Sequence, residues 1–283
     1  MPGVGPIHID EIEPTLAALE NALGVDLTNN TLGSVGKREF SGDIDVALQI
    51  ETDEIPEFIK KLERTPEVLD IEKSSVIMTK VKIVDYDESQ QTTKPRTGFV
   101  QVDFMPGDPG WLKTYYHSPG EDESKYKGVF RNIMISTIAA VYDRQDSEET
   151  IEDGRPMQSE RWMWSPTDGL VRIRRTPVPK KSGQGYTKKN NNEIIGRPIK
   201  QPAQIAQALG LDGAQDLNSF ESLLDSVEKN YSPQLVEKIK KNFADNSVIK
   251  DIGVPDEIQS TESLSDRHLN RILELIGYEK YEV

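Results

Sequence analysis

The chain has 283 residues, no cysteine and a net charge of −14, with 35% hydrophobic and 29% charged residues. That length supports one large domain or two modest ones with real cores. The missing cysteines exclude disulfides, thiolate zinc sites and a cysteine nucleophile. No apolar run approaches the roughly 20 residues needed to span a bilayer, and Met1 to Ile9 lacks the basic-then-apolar pattern of a signal peptide. A soluble cytoplasmic protein without a membrane partner is the expectation.

In chain order, Ile9, Ile12, Leu16, Leu19 and Leu23 form the apolar stripe of a helix, with Pro14 near its start and Gly24 past its end. Asp43 to Ile50 alternates as a strand. Ile55, Phe58, Ile59 and Leu62 predict a second helix, with Asp53 as cap and Pro56 in the first turn. Ser75 to Val84 and Gly98 to Met105 read as strands, and Tyr126 to Tyr142 as a buried helix. The first ~145 residues thus form an α+β unit. Asp143 to Gly154 reads as a connector. Arg161 to Ile173 predicts a hairpin turning at Thr167-Asp168-Gly169, and Ser182 to Asn192 a mobile loop. Helical patterns follow near 202–209, 216–230, 233–244 and 263–277. The expected organisation is a catalytic domain at 1–145, a connector with hairpin and basic loop at 146–200, and a helical region at 201–283.

The chemistry concentrates in Gly33-Ser34-Val35-Gly36-Lys37-Arg38-Glu39-Phe40-Ser41-Gly42-Asp43-Ile44-Asp45-Val46. Strand residues two apart share a face, so Asp43 and Asp45 sit side by side. They repel unless a cation lies between them, and hard oxygen donors select Mg2+ or Mn2+. Asp103 interrupts an otherwise apolar strand, which is costly unless it is paired or metal-bound. Three converging carboxylates suffice for two ions about 3.5–4 Å apart, one activating a hydroxyl and one neutralising a triphosphate. Gly33 lets backbone amides approach a phosphate, and the Ser34 hydroxyl can donate to it.

This block resembles the signature of the DNA polymerase β-like nucleotidyltransferase superfamily: Gly-Ser, a spacer, Asp-x-Asp between apolar residues, and a third Asp on a later strand. In detail it is similar to archaeal CCA-adding enzymes, oligoadenylate synthetases and cyclic-dinucleotide synthases, which commonly carry a basic residue where Lys37 stands. The resemblance covers about residues 9–142; its eight-residue spacer between Ser34 and Asp43 is short for the family. It implies a palm-like mixed sheet with flanking helices, followed here by a mostly helical C-terminal region. It further implies that Gly33 and Ser34 grip the triphosphate of an NTP such as ATP. Asp43 and Asp45 would bind both metals, and Asp103 would complete one site. In related folds a nucleotide lies near the helix after the third carboxylate, which makes Lys125, Lys127 and Arg131 candidate triphosphate contacts, or else a solvated face.

The acceptor is less defined. Residues 172–200 hold nine basic residues and one acid, Glu193, so the segment carries +8 and the remainder −22. Arg172, Arg174, Arg175, Lys180 and Lys181 are therefore candidate contacts for RNA, or part of a solvated basic loop. Trp111, Tyr115 and Tyr116 could stack on a base or pack in the core. Trp162 and Trp164 could form a stacking platform or, more simply, core. The scattered His8, His117 and His268 lack zinc-ligand spacing and read as structural or surface residues. The expected reaction is transfer of a nucleoside monophosphate to an RNA hydroxyl. The alternatives are the same chemistry on a protein side chain, small molecule or second nucleotide, and an inactive nucleotide-binding scaffold.

Overall fold

The computed structural model describes residues 1–259 apart from positions 75 and 91. The chain divides into two units: Met1–Asn132 with Ser165–Gly169, and Ile133–Trp164 with the chain from Leu170 onward. No helix among the described residues is long and apolar enough to cross a membrane.

In the first unit a short strand β1 (Ile7–His8) leads into helix α1 (Ile9–Leu23). The His8 backbone N–H donates to Glu11 Oε2 at 3.0 Å, and its ring accepts from the Asp10 amide at 3.3 Å, closing a capping box. Gly24 ends the helix in the left-handed conformation, φ 71°, its N–H donating to the Glu20 carbonyl at 2.8 Å. Because His8 sets the start, Pro14 lies inside α1 rather than at its first turn. It removes one backbone donor from the helix.

Strand β2 (Phe40–Ser41) pairs antiparallel with β1, and β3 (Ile44–Leu48) follows. Helix α2 (Ile55–Glu63) starts after Glu54, not after the expected cap Asp53. Glu54 closes the preceding turn itself, its carboxylate accepting from the Glu51 N–H at 2.8 Å. Strands β4 (Val68–Lys73), β5 (Ile77–Lys82) and β6 (Phe99–Pro106) complete a sheet of order β3-β6-β5-β4. β3 runs parallel to β6, and the other two pairings are antiparallel. The sheet is mixed and flanked by helices, giving an α+β architecture. β4 escapes sequence reading because it is an edge strand with little burial; Leu69 is 54% exposed. Helix α3 (Pro109–Tyr115), capped by Asp108 accepting from Gly110 N–H at 3.0 Å, is too short to show periodicity. Helix α4 (Gly128–Val141) matches expectation.

The core lies on one face of this sheet. Ile12, Leu16, Leu19 and Leu23 of α1 and Phe58 and Leu62 of α2 join Ile44, Val46 and Leu48 of β3 and Val100, Val102 and Phe104 of β6. Alternation turns Asp45, Ala47, Gln101 and Asp103 to the other face.

The second unit carries a sheet of order β10-β9-β8-β7, built from β7 (Gln145–Asp146), β8 (Ser159–Ser165), β9 (Gly169–Pro179) and β10 (Tyr186–Ile194). The expected β8–β9 hairpin is present. The expected mobile stretch Ser182 to Asn192 is instead largely strand. Gly183 and Gly185, φ 75° and 73°, make the turn, and β9 offers a free ladder that outweighs the poor strand propensity of Lys188 to Asn192. Helices α5 (Pro202–Ala208), α6 (Phe220–Asn230) and α7 (Pro233–Ala244) follow the sequence pattern. α6 begins later than expected because Ser219 caps it, its Oγ accepting from Ser222 N–H at 3.1 Å. Short helices α8 (Ser247–Ile252) and α9 (Asp256–Gln259) lie outside the expected helical stretches, and the helix expected near 263–277 lies outside the described residues.

A buried ion pair fastens the loop before β6 to α1. Arg96 bonds Glu11 and donates to the Asp87 carbonyl at 2.8 Å, and it lies 4.6 Å from the Tyr86 ring centroid and 5.6 Å from that of Phe40. Burial alone would raise the Glu11 pKa, but the Arg96 bond and the amides of Asp87 and His8 hold it below the ordinary value. Arg96→Met would leave the Glu11 charge buried without its partner, and should cost about 3–5 kcal/mol in urea unfolding. A loss below ~1 kcal/mol would contradict this anchoring role.

Candidate active site

The parallel pairing of β3 with β6 makes Asp45 and Asp103 direct register partners, alongside Ile44 with Val102 and Val46 with Phe104. Asp43 stands one residue before β3. Its approach is fixed by the β1–β2 pairing of Ile7 with Ser41 and by Ile9 N–H donating to the Glu39 carbonyl at 2.9 Å. Asp43, Asp45 and Asp103 consequently converge, each offering a carboxylate oxygen within 4.8 Å of the others. Asp43 is exposed, Asp45 half-buried and Asp103 buried.

Three like charges this close are poorly tolerated. Burial, reinforced by Asp43 and then Asp103, pushes Asp45 up to about 7. Burial also raises Asp103, against the opposing effect of Gln101, with Asp43 adding to the rise. The Gln101 amide donates to both Asp103 oxygens, at 2.9 and 3.1 Å. Gln101 escapes notice in the sequence, although it lies two residues before Asp103 on the same face.

The Gly33-Ser34 turn is held beside these carboxylates. Leu32 N–H donates to the Asp45 carbonyl at 2.8 Å, and Thr31 bridges to Val46. Gly33 has φ 65°, and a Cβ there would stand 3.4 Å from Asp45 Oδ2. Both the left-handed backbone and the close approach favour glycine. Ser34 is half-buried, its carbonyl accepting from Lys37 N–H at 3.1 Å, while Val35 packs against the main core.

Lys37 donates from Nζ to the Ser118 carbonyl, tying this turn to the segment after α3. The residue as a whole is exposed, yet desolvation of the ammonium lowers its pKa, with Glu123 opposing and Arg131 assisting. Arg131 is buried and donates to the Tyr115 carbonyl at 3.1 Å. Lys125 lies 5.0 Å from the Tyr126 ring centroid, and Lys127 is exposed just before α4. Of the aromatic candidates, Trp111 is core, its Nε1 donating to the Ser165 carbonyl at 3.2 Å. Tyr116 packs against Leu32, Ala47 and Leu112. Burial and then the Asp45 charge raise its pKa, which places its hydroxyl within the field of the carboxylates.

The candidate acceptor contacts belong to the second unit. Arg172 donates to Asp143 Oδ2 at 3.0 Å, and Arg174 donates to Glu160 at 2.9 and 3.1 Å and lies 3.6 Å from Glu193. Arg175 is half-buried, and Lys180 and Lys181 are exposed at the β9–β10 turn. Trp164 is core, and Trp162 lies under Arg172 at 5.5 Å.

No protein-family model matches the chain, and no curated protein matches it. Among solved structures, it is similar to Leishmania infantum polymerase beta in a ternary P/T complex, at 13% identity over 72% of this chain and 73% of that one, TM-score 0.39. It is also similar to the same polymerase in a ternary gap complex, at 15% identity over 72% of this chain and 67% of that one, TM-score 0.39.

Because Asp45 holds its proton up to about 7, a divalent cation entering the cluster must displace that proton. Mn2+ affinity, measured by calorimetry, should rise about tenfold between roughly pH 6 and pH 8, with proton release at the lower pH. Affinity independent of pH would contradict this electrostatic picture.

Proposed function

We propose that the chain is a divalent-metal-dependent nucleotidyltransferase, moving a nucleoside monophosphate from an NTP to an acceptor hydroxyl. The observation that carries this reading is the convergence of Asp43, Asp45 and Asp103 beside a left-handed Gly33-Ser34 turn. Three carboxylates supply only hard oxygen donors, and their mutual repulsion calls for a cation, so the set fits Mg2+ or Mn2+. Asp43 and Asp45 would hold two such ions and Asp103 would complete one site. When bound, the ions would supply charge neutralisation on the triphosphate and lower the pKa of the acceptor hydroxyl.

The chain's own groups do the positioning. Backbone amides of the Gly33 turn and the Ser34 hydroxyl would bind triphosphate oxygens, with Lys37, Lys125 and Lys127 as further phosphate contacts. Gln101, bonded to both Asp103 oxygens, fixes that carboxylate's orientation and favours its charged form. In this scheme residues 1–145 hold the chemistry and 146–200 meet the acceptor.

We assign the acceptor as RNA through residues 172–200, on the strength of their +8 charge. A second reading, with the acceptor hydroxyl on a protein side chain, small molecule or second nucleotide, gains from one observation. Arg172 and Arg174 already pair with Asp143 and Glu160, which leaves less free charge for a strand. Incubation with α-labelled NTPs and Mg2+, followed by separation of labelled RNA, protein and small products, decides between them. No labelled product from any NTP would leave a nucleotide-binding scaffold.

Asp43→Asn and Asp45→Asn should each reduce turnover by roughly a thousandfold, equivalent to about 4 kcal/mol, while the fold persists. Turnover within about tenfold of wild type would refute the assignment. Ser34→Ala should weaken NTP binding, whereas Asp103→Asn should mainly slow the chemical step. Equal losses of NTP affinity would contradict that division.

A further inference from the structure

The hairpin of the second unit sorts its arginines between two faces. Arg174 bonds Glu160 and Arg172 stacks on Trp162, so these four side chains share one face of β8 and β9. Pleating puts Arg161 and Arg175, their chain neighbours, on the opposite face. Pairing of β7 with β8 joins Gln145 to Glu160 and Asp146 to Ser159, which brings Arg144 across from Arg161. On the other side, Asn192 of β10 is the register partner of Arg175.

The charges around Arg161 and Arg175 are only partly balanced. Asp146 bonds Arg144 at 2.7 Å, and in the loop before β8 Asp153 bonds Arg155 at 2.7 Å. The side chains of Arg161 and Arg175 make no hydrogen bond or ion pair among the described residues, and the Nε of each is buried without a partner. Burial lowers the Arg161 pKa to about 10, with Arg175 and Arg144 adding to the fall. Burial likewise lowers Arg175, with Arg144 and Arg155 contributing. Half-buried guanidinium groups that repel one another and leave donors unused are costly unless an anion completes them.

We propose that Arg161 and Arg175, flanked by Arg144 and Asn192, form a phosphate-binding site on the sheet of the second unit. Guanidinium forks match phosphoryl oxygens in pairs, which a lysine patch does not. The ligand is a phosphoryl-bearing anion, supplied either by a nucleic-acid backbone or by a free polyphosphate. The site rests on this sheet alone and stands whether or not Asp43, Asp45 and Asp103 carry out transfer. It also differs from the Arg172 and Arg174 face, whose charges are already paired with acids.

The test uses the full chain at low salt with two probes: a labelled single-stranded RNA oligonucleotide followed by anisotropy, and tripolyphosphate followed by calorimetry. Arg161→Gln with Arg175→Gln should weaken the bound probe at least about tenfold. For the oligonucleotide, loss of two contacts should also flatten the log-affinity against log-salt slope by roughly 1.4. Oligonucleotide binding identifies a backbone ligand, and tripolyphosphate binding alone identifies a free phosphorylated one. The paired substitutions Asp146→Asn and Asp153→Asn lie at half-exposed acids and should tighten binding by freeing Arg144 and Arg155. The site is overturned if wild type binds neither probe. It is equally overturned if the folded arginine variant binds as wild type does, or if the aspartate variant shows no tightening.

Discussion

Backbone pairing between β3 and β6 forces Asp45 and Asp103 to be neighbours, and that enforced closeness governs the rest of the site. The parallel ladder is held by apolar residues on its far face, Ile44, Val46, Val102 and Phe104, which are all buried. Shifting either strand by one residue to separate the carboxylates would put those residues on the opposite face. The core therefore sustains a repulsion that no local adjustment of the strands can remove. Asp43 adds to it from the turn before β3; burial first, and then the Asp43 and Asp103 charges, raise Asp45 to about 7. A cation bound there would relieve what packing imposes.

Around that centre stand groups that would contact phosphate in the proposed reading. The Gly33 turn is laced to β3 through Leu32 and the Asp45 carbonyl, so its amides and the carboxylates are held in one frame. Lys37 reaches the Ser118 carbonyl, and Arg131 the Tyr115 carbonyl. Lys37 thereby braces the segment after α3, and Arg131 the last residue of α3 itself. Tyr116, just after α3, packs against Leu32 and Ala47.

Much of this was legible in the sequence because it is encoded by strict alternation and by residue types that are costly elsewhere. Asp43, Asp45 and Asp103 stand out as carboxylates in apolar strands, and Gly33 precedes them at a fixed spacing. What escaped was carried by tertiary pairing rather than by pattern. β10 is rich in lysine and asparagine and becomes a strand only because β9 leaves a ladder open to it. β4 is an edge, so its alternation is blurred, and α3 is too short for its period to register. The role of Gln101 needed the strand face to be seen, and the pairing of Arg172 and Arg174 with acids needed Asp143 and Glu160 beside them.

The central claim is that the three carboxylates form a two-metal site that assembles with an NTP. The most direct measurement is titration of Mn2+ by electron paramagnetic resonance, with and without a non-hydrolysable NTP analogue, in wild type and in Asp45→Asn. The account predicts about two tightly bound ions per chain in the presence of the analogue, and loss of at least one in the variant. Wild type that binds no Mn2+ with the analogue present, or a variant that binds as many ions as wild type, would contradict it.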